Sequence, residues 1–105
     1  MKSEDYHIPV LLRQSVDGLD IKPGGIYVDV TFGGGGHSRE ILSRLSPDAH
    51  LYSFDQDADA EANASIGEIR LADDSRSTFV RSNFRYLRNW MRYYGVEHTD
   101  GLLAD

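Results

Sequence analysis

Four consecutive glycines, Gly33 to Gly36, constrain this chain more than any other feature of its 105 residues. A tight turn needs one or two glycines. Four of them between a strand and a helix let the backbone approach a ligand closely and present amide N–H groups at the helix start. The flanks read that way. Ile26-Tyr27-Val28-Asp29-Val30-Thr31-Phe32 is β-branched and aromatic, follows Pro23-Gly24-Gly25, and predicts a buried strand. After the glycines, apolar residues at 41, 42 and 45 have helical spacing, with Pro47 just past the end.

The same alternation continues. Leu51 to Phe54 predicts a second strand, closed by Asp55-Gln56-Asp57, and Asp57 is placed to cap a helix from Ala58 to about Ile66. Asp73 to Ser77 is a polar loop and Thr78 to Arg81 a third strand. Asn83 caps a helix predicted from Phe84 to about Tyr94 and stopped by Gly95, and Gly101 to Asp105 starts a fourth strand. Strands alternating with helices across short loops imply an α/β domain, a parallel sheet of about four strands with helices on both faces. Its ligand loops then gather at the carboxyl ends of the strands: Asp29 to Gly36, Asp55 to Asp57, Asn83-Phe84 and Asp105. The sheet is expected to be incomplete, the front part of a larger enzyme. The N-terminal segment, with His7 and Pro9 before Val10-Leu11-Leu12, is expected to pack against it.

Composition narrows the function classes. With no Cys there is no disulfide framework and no thiolate chemistry, so a reducing cytoplasm is the simplest compartment. Apolar runs fall short of the ~20 residues of a membrane span, and the acidic start lacks the long apolar stretch of a signal peptide. A net charge of −6 argues against a chain that coats nucleic acid with its whole surface. The charge is uneven, however: Ser75 to Gly95 holds five arginines and no acid. Arg85, Arg88 and Arg92 have helical spacing and predict one basic face, either solvated or touching RNA phosphates.

The loop counts against some ligands. A phosphate-binding loop ends in Gly-Lys-Ser/Thr, whereas Gly36-His37-Ser38 has no lysine. A dinucleotide fingerprint needs a third glycine where Ser38 or Arg39 stands. Asp29, four residues before Gly33, would repel a pyrophosphate and suits a ligand that is cationic nearby, such as the sulfonium and ammonium of S-adenosylmethionine. Asp55, ending the second strand, is placed to accept from ribose hydroxyls, a use shared by dinucleotide enzymes. His37 and Glu40 lie one turn apart, but two ligands make no metal site, and none is expected. Phe84 falls on the stripe Phe84, Leu87, Met91, Tyr94, which by periodicity reads as core; only its place after the third strand points to stacking.

Taken together, Tyr6 to Leu12, Ser15 to Leu19, Gly25 to Ser38, Phe54 to Asp57, Ser82 to Phe84 and Asp100 to Asp105 resemble the RsmH/MraW family. The resemblance implies a Rossmann-like class I S-adenosylmethionine-dependent methyltransferase fold and N4-methylation of a cytosine in 16S ribosomal RNA, in the small-subunit decoding region. Family chains are roughly three times longer, combining the catalytic sheet with an inserted helical domain. Residues 1–105 would then be the N-terminal part of the cofactor-binding domain, without the inserted domain and last strands, and inactive alone. Carried over by position, the cofactor contacts are Gly35, Gly36, His37, Asp55, Phe84 and Asp105, with Asp29 and Gly33 supporting the loop. Asp105 or its neighbours would supply the acceptor for the reacting amine. Two other readings stand beside this one: an NAD-dependent Rossmann oxidoreductase fragment, and a non-enzymatic α/β interaction domain.

Overall fold

The computed structural model describes residues 10–32, 35–65 and 71–104. Four parallel strands form one sheet in the order β3-β2-β1-β4: β1 Ile26–Asp29, β2 His50–Asp55, β3 Ser77–Arg81 and β4 Gly101–Leu103. Helices α1 (Val10–Asp17), α2 (Gly36–Arg44), α3 (Ala58–Asn63) and α4 (Leu87–Tyr93) flank it. The α/β parallel architecture expected from the sequence is the one observed. The chain winds from β1 outward to β3, then crosses back to place β4 on the other side of β1. The order therefore reverses at β1, the position where open α/β sheets form a crevice beyond their carboxyl ends.

Period-two alternation sends successive side chains to opposite faces and builds two cores. Tyr27, Leu51 and the half-buried Phe79 and Leu103 meet Val16 of α1, Ile41 and Leu42 of α2, and Ala60 of α3. Val28, Tyr52, Phe54 and Val80 meet Met91, Leu87 and Trp90 of α4. Each fully buried side chain of this size contributes about 1.5–3 kcal/mol. Tyr27 is enclosed, and its hydroxyl accepts from the Lys22 N–H at 2.8 Å. A Cβ on Gly25 would lie 2.6 Å from its ring, so glycine at 25 is a packing requirement.

The structure corrects several sequence-based boundaries. The first strand ends at Asp29 rather than Phe32, because the Asp29 carboxylate accepts from the Thr31 N–H at 2.7 Å and folds the chain out of the sheet. Asp57 and Asn83 cap as expected, accepting from the amides of Asp59 and Arg85. The helix expected from Phe84 is instead a 3-10 turn, Phe84–Tyr86, followed by α4; Gly95 closes it with φ 76°. That break moves Phe84 off the apolar stripe, and it is 62% exposed rather than in the core. Val10–Asp17 forms a helix that no sequence signal had marked, and its Val16 is fully buried. His7 and Pro9 lie outside the described residues. Among the described residues no helix is long and apolar enough to cross a membrane.

Candidate cofactor site

The site sits at the carboxyl ends of β1, β2 and β3. Register places Asp29 beside Ser53 on one side and Leu103 on the other, and Asp55 beside Arg81. The Val30 N–H donates to the Leu103 carbonyl at 3.0 Å, so the exit of β4 is tied to the start of the loop after β1.

That loop is held from below. Asp29 is fully buried, and among the described residues three donors converge on its carboxylate. Oδ1 accepts from the Thr31 N–H at 2.7 Å and the Thr31 hydroxyl at 2.6 Å, and Oδ2 accepts from the Ser38 hydroxyl at 2.6 Å. Ser38 Oγ also lies 2.7 Å from Ser53 Oγ. A buried carboxylate is tolerable only when so satisfied. Asp29 therefore stands under the loop as a brace and faces protein donors. Ser38 and Ser53 carry this brace and were missed at the sequence level. The available signal was Ser53 two residues beyond Leu51, on the face that β1 gives to Asp29, with Ser38 on the first turn of the facing helix.

Gly35 closes the loop. It is buried, adopts φ 90°, donates to the Phe32 carbonyl at 2.6 Å and stands at the N-cap of α2 without a side-chain cap. A Cβ there would strike the Arg39 guanidinium and approach the Phe32 ring to 3.1 Å. Gly36 is exposed on the first turn, and a Cβ on it would lie 3.0 Å from Leu12 of α1. His37 is half-buried, its Nδ1 3.4 Å from the Thr31 hydroxyl. Gly33 and Asp105 lie outside the described residues.

Beside the loop is a cavity of about 170 Å³ lined by Val30, Phe54, Asp55, Gln56, Ser82, Asn83 and Phe84. Asp55 accepts from the Asp57 N–H at 2.9 Å, and Asn83 donates to Gln56 Oε1 at 3.2 Å. Apolar walls from Val30, Phe54 and Phe84 meet a polar rim of Asp55, Gln56 and Asn83. Such a lining suits a flat ring joined to a hydroxylated group. Two of the sequence-derived residues, Asp55 and Phe84, thus share one cavity.

Arg85 lies on the 3-10 turn with its guanidinium 5.6 Å from the Tyr86 ring centre. Arg88 and Arg92 lie on α4, beside Leu87 and Met91, along an open cleft of about 710 Å³ whose far wall is Gly95 to Thr99. All three are exposed.

Comparison with known proteins bears on the family and the fold. Residues 4–105 match the MraW methylase family. The chain is 69% identical over 100 residues to ribosomal RNA small subunit methyltransferase H of Phocaeicola vulgatus, covering 95% of this chain and 31% of that protein. It is 65% identical to the protein of the same name from Parabacteroides distasonis, covering 99% and 32%. The chain thus spans about a third of the length of the curated relatives it matches. Among solved structures, a Clostridium thermocellum protein assigned as an rRNA methylase superposes with a TM-score of 0.66 at 25% identity, over 75% of this chain and 45% of that one. TrmN from Thermus thermophilus superposes with 0.64 at 30% identity, over 78% and 24%. With its Rossmann-like sheet, braced glycine loop and near-complete family match, the chain belongs to the MraW methylase family.

Proposed function

We propose that residues 1–105 are the cofactor-binding part of an S-adenosylmethionine-dependent ribosomal RNA methyltransferase about three times as long, inactive without the rest. Its target is the exocyclic N4 amine of a cytosine in 16S ribosomal RNA, and its place of work the cytoplasm. The observation that carries the reading is the pairing, around one cavity at the carboxyl ends of the strands, of the acceptor Asp55 with the exposed ring of Phe84.

The residues present fit the group. Asp55 holds ribose hydroxyls as an ionic acceptor, an arrangement stronger than a neutral pair. Phe84, with Val30 and Phe54, encloses the adenine. Gly35, Gly36 and His37 approach the methionine end, with Asp29 holding the loop from beneath and Gly33 completing it. When bound, S-adenosylmethionine supplies a methyl group activated on sulfonium. The chain's main task is alignment, and fixing amine, methyl and sulfur in line can remove ~7–11 kcal/mol of barrier. Cytosine N4 is a poor nucleophile because its lone pair is delocalised, so an acceptor at Asp105 or just beyond it would localise that pair. The base must be unstacked to reach it. Arg85, Arg88 and Arg92 supply positive charge for the RNA backbone.

Calorimetric titration of the full-length enzyme with S-adenosylmethionine and with NAD tests the reading. The methyl donor should bind and NAD should not, and Asp55→Ala should weaken the donor by ~1–3 kcal/mol. Preferential NAD binding would favour the oxidoreductase reading. Binding of neither would favour a non-enzymatic interaction domain.

A further inference from the structure

A relay of hydroxyls runs beneath the start of α2, and none of its residues lines the cavity assigned above to the adenosine. Ser38 is fully buried and Ser53 is 1% exposed. A serine hydroxyl has one proton. Because Ser38 donates to Asp29 Oδ2, Ser53 must donate to Ser38 Oγ across their 2.7 Å contact. The relay is therefore directional: Ser53 to Ser38 to Asp29. On the other carboxylate oxygen, Thr31 delivers both its amide and its hydroxyl. One carboxylate thus ties together β1, the turn after it and the first turn of α2, while Ser53 adds β2. An apolar core would fill this space with fewer constraints, since partly satisfied buried polar groups are costly. What the relay adds is a definite angle between β1 and the start of α2, and that angle sets where the loop amides point.

We propose that Ser38 and Thr31 are positioning residues that hold the glycine loop against the methionine end of the methyl donor through Asp29, with Ser53 only backing Ser38. This rests on the methyltransferase reading above and goes beyond it by dividing the site into two separable halves. Asp55 and Phe84 govern the adenosine half, and the relay governs the other. The residues are unequal within the relay. Loss of the Ser38 hydroxyl removes one donor from Asp29 and leaves Ser53 without its acceptor there. Loss of the Ser53 hydroxyl leaves the Ser38–Asp29 bond in place.

The test compares two ligands on the full-length enzyme. Affinities for S-adenosylmethionine and for adenosine, which lacks the methionine end, are measured for Ser38→Ala, Ser53→Ala, Thr31→Val, Thr31→Ser and Asp55→Ala. Ser38→Ala and Thr31→Val should weaken the methyl donor about tenfold while adenosine stays within about twofold, a tenfold change being 1.4 kcal/mol. Ser53→Ala should change either ligand less than about threefold, and Thr31→Ser, which keeps both donors, should match the parent. Asp55→Ala should weaken both ligands. Amide exchange at Gly35 should quicken in Ser38→Ala without any ligand, a readout independent of cofactor. Thr31→Val is close in shape to the parent and keeps the test decisive if Ser38→Ala does not fold. Equal losses for both ligands would reduce the relay to general scaffolding and overturn the proposal, as would parent-like affinities in Ser38→Ala and Thr31→Val. If Asp55→Ala weakens both ligands while the relay variants match the parent, the methyltransferase reading stands and this inference falls. If the parent binds neither ligand, both fall together.

Discussion

Replacing Asp29 separates the work of its charge from the work of its shape. In Asp29→Ala three donors lose their acceptor: the Thr31 amide, the Thr31 hydroxyl and the Ser38 hydroxyl, held at 2.7, 2.6 and 2.6 Å. Ser38 keeps Ser53, and Thr31 is half-buried, so water can serve part of the loss. Counting about 1–3 kcal/mol for each group left unpaired, with those two reliefs, the cost is about 3–5 kcal/mol. Asp29→Asn behaves differently. Its oxygen can still take both Thr31 donors, and its amide can donate to Ser38 Oγ while the Ser38 hydroxyl turns to Ser53. The charge assistance is lost and the buried Ser53 hydroxyl gives up the acceptor it had in Ser38, about 2 kcal/mol together. With a urea m-value of about 1.3 kcal/mol/M for a chain of this size, Ala should lower the unfolding midpoint by about 3 M and Asn by about 1.5 M. Urea titrations followed by far-ultraviolet circular dichroism read the difference. Midpoints for Ala and Asn within about 0.5 M of each other would show that the donors do not depend on this carboxylate, and the account of the brace would fail.

Other outcomes follow from the same geometry. Phe84→Ala should leave thermal stability within about 0.5 kcal/mol, since the ring is exposed, yet weaken adenosine in calorimetry by about 1–3 kcal/mol, the usual loss when a base stacks on an aromatic ring; a large fall in melting temperature would return Phe84 to the core. Arg85→Glu with Arg88→Glu should lower RNA affinity and flatten its dependence on salt, read by fluorescence anisotropy at several ionic strengths; equal slopes would leave these arginines as solvated surface. Burial pushes the His50 imidazole below its ordinary value near 6.5, only partly opposed by Asp74, while Nε2 lies 2.7 Å from the Thr78 hydroxyl. The unfolded chain then binds more protons just below pH 6.5, so stability should fall as pH drops through that range and level off above it. Urea midpoints from pH 5 to 7.5 should show this slope reduced in His50→Gln, and an identical slope would assign it to other groups.

The sequence alone carried the order and type of most elements, because β1, β2 and β3 were short β-branched or aromatic runs and the starts of α2, α3 and the turn before α4 had a glycine or a cap. Asp57, Asn83 and Gly95 act through hydrogen bonds a few residues away, and such local chemistry is readable along the chain. The positions of Asp55 and Phe84 beside one cavity followed from parallel topology, which brings every strand's carboxyl end to the same edge. Three things required the folded molecule. The end of β1 at Asp29 depends on a side chain turning back to its own backbone, which apolar patterning does not register. The exposure of Phe84 depends on a 3-10 turn that breaks the helical phase, so a stripe read at constant period misplaced it. The relay from Ser53 through Ser38 to Asp29 joins residues 24 apart in sequence, and only strand register and the seating of α2 on the sheet bring their hydroxyls within reach.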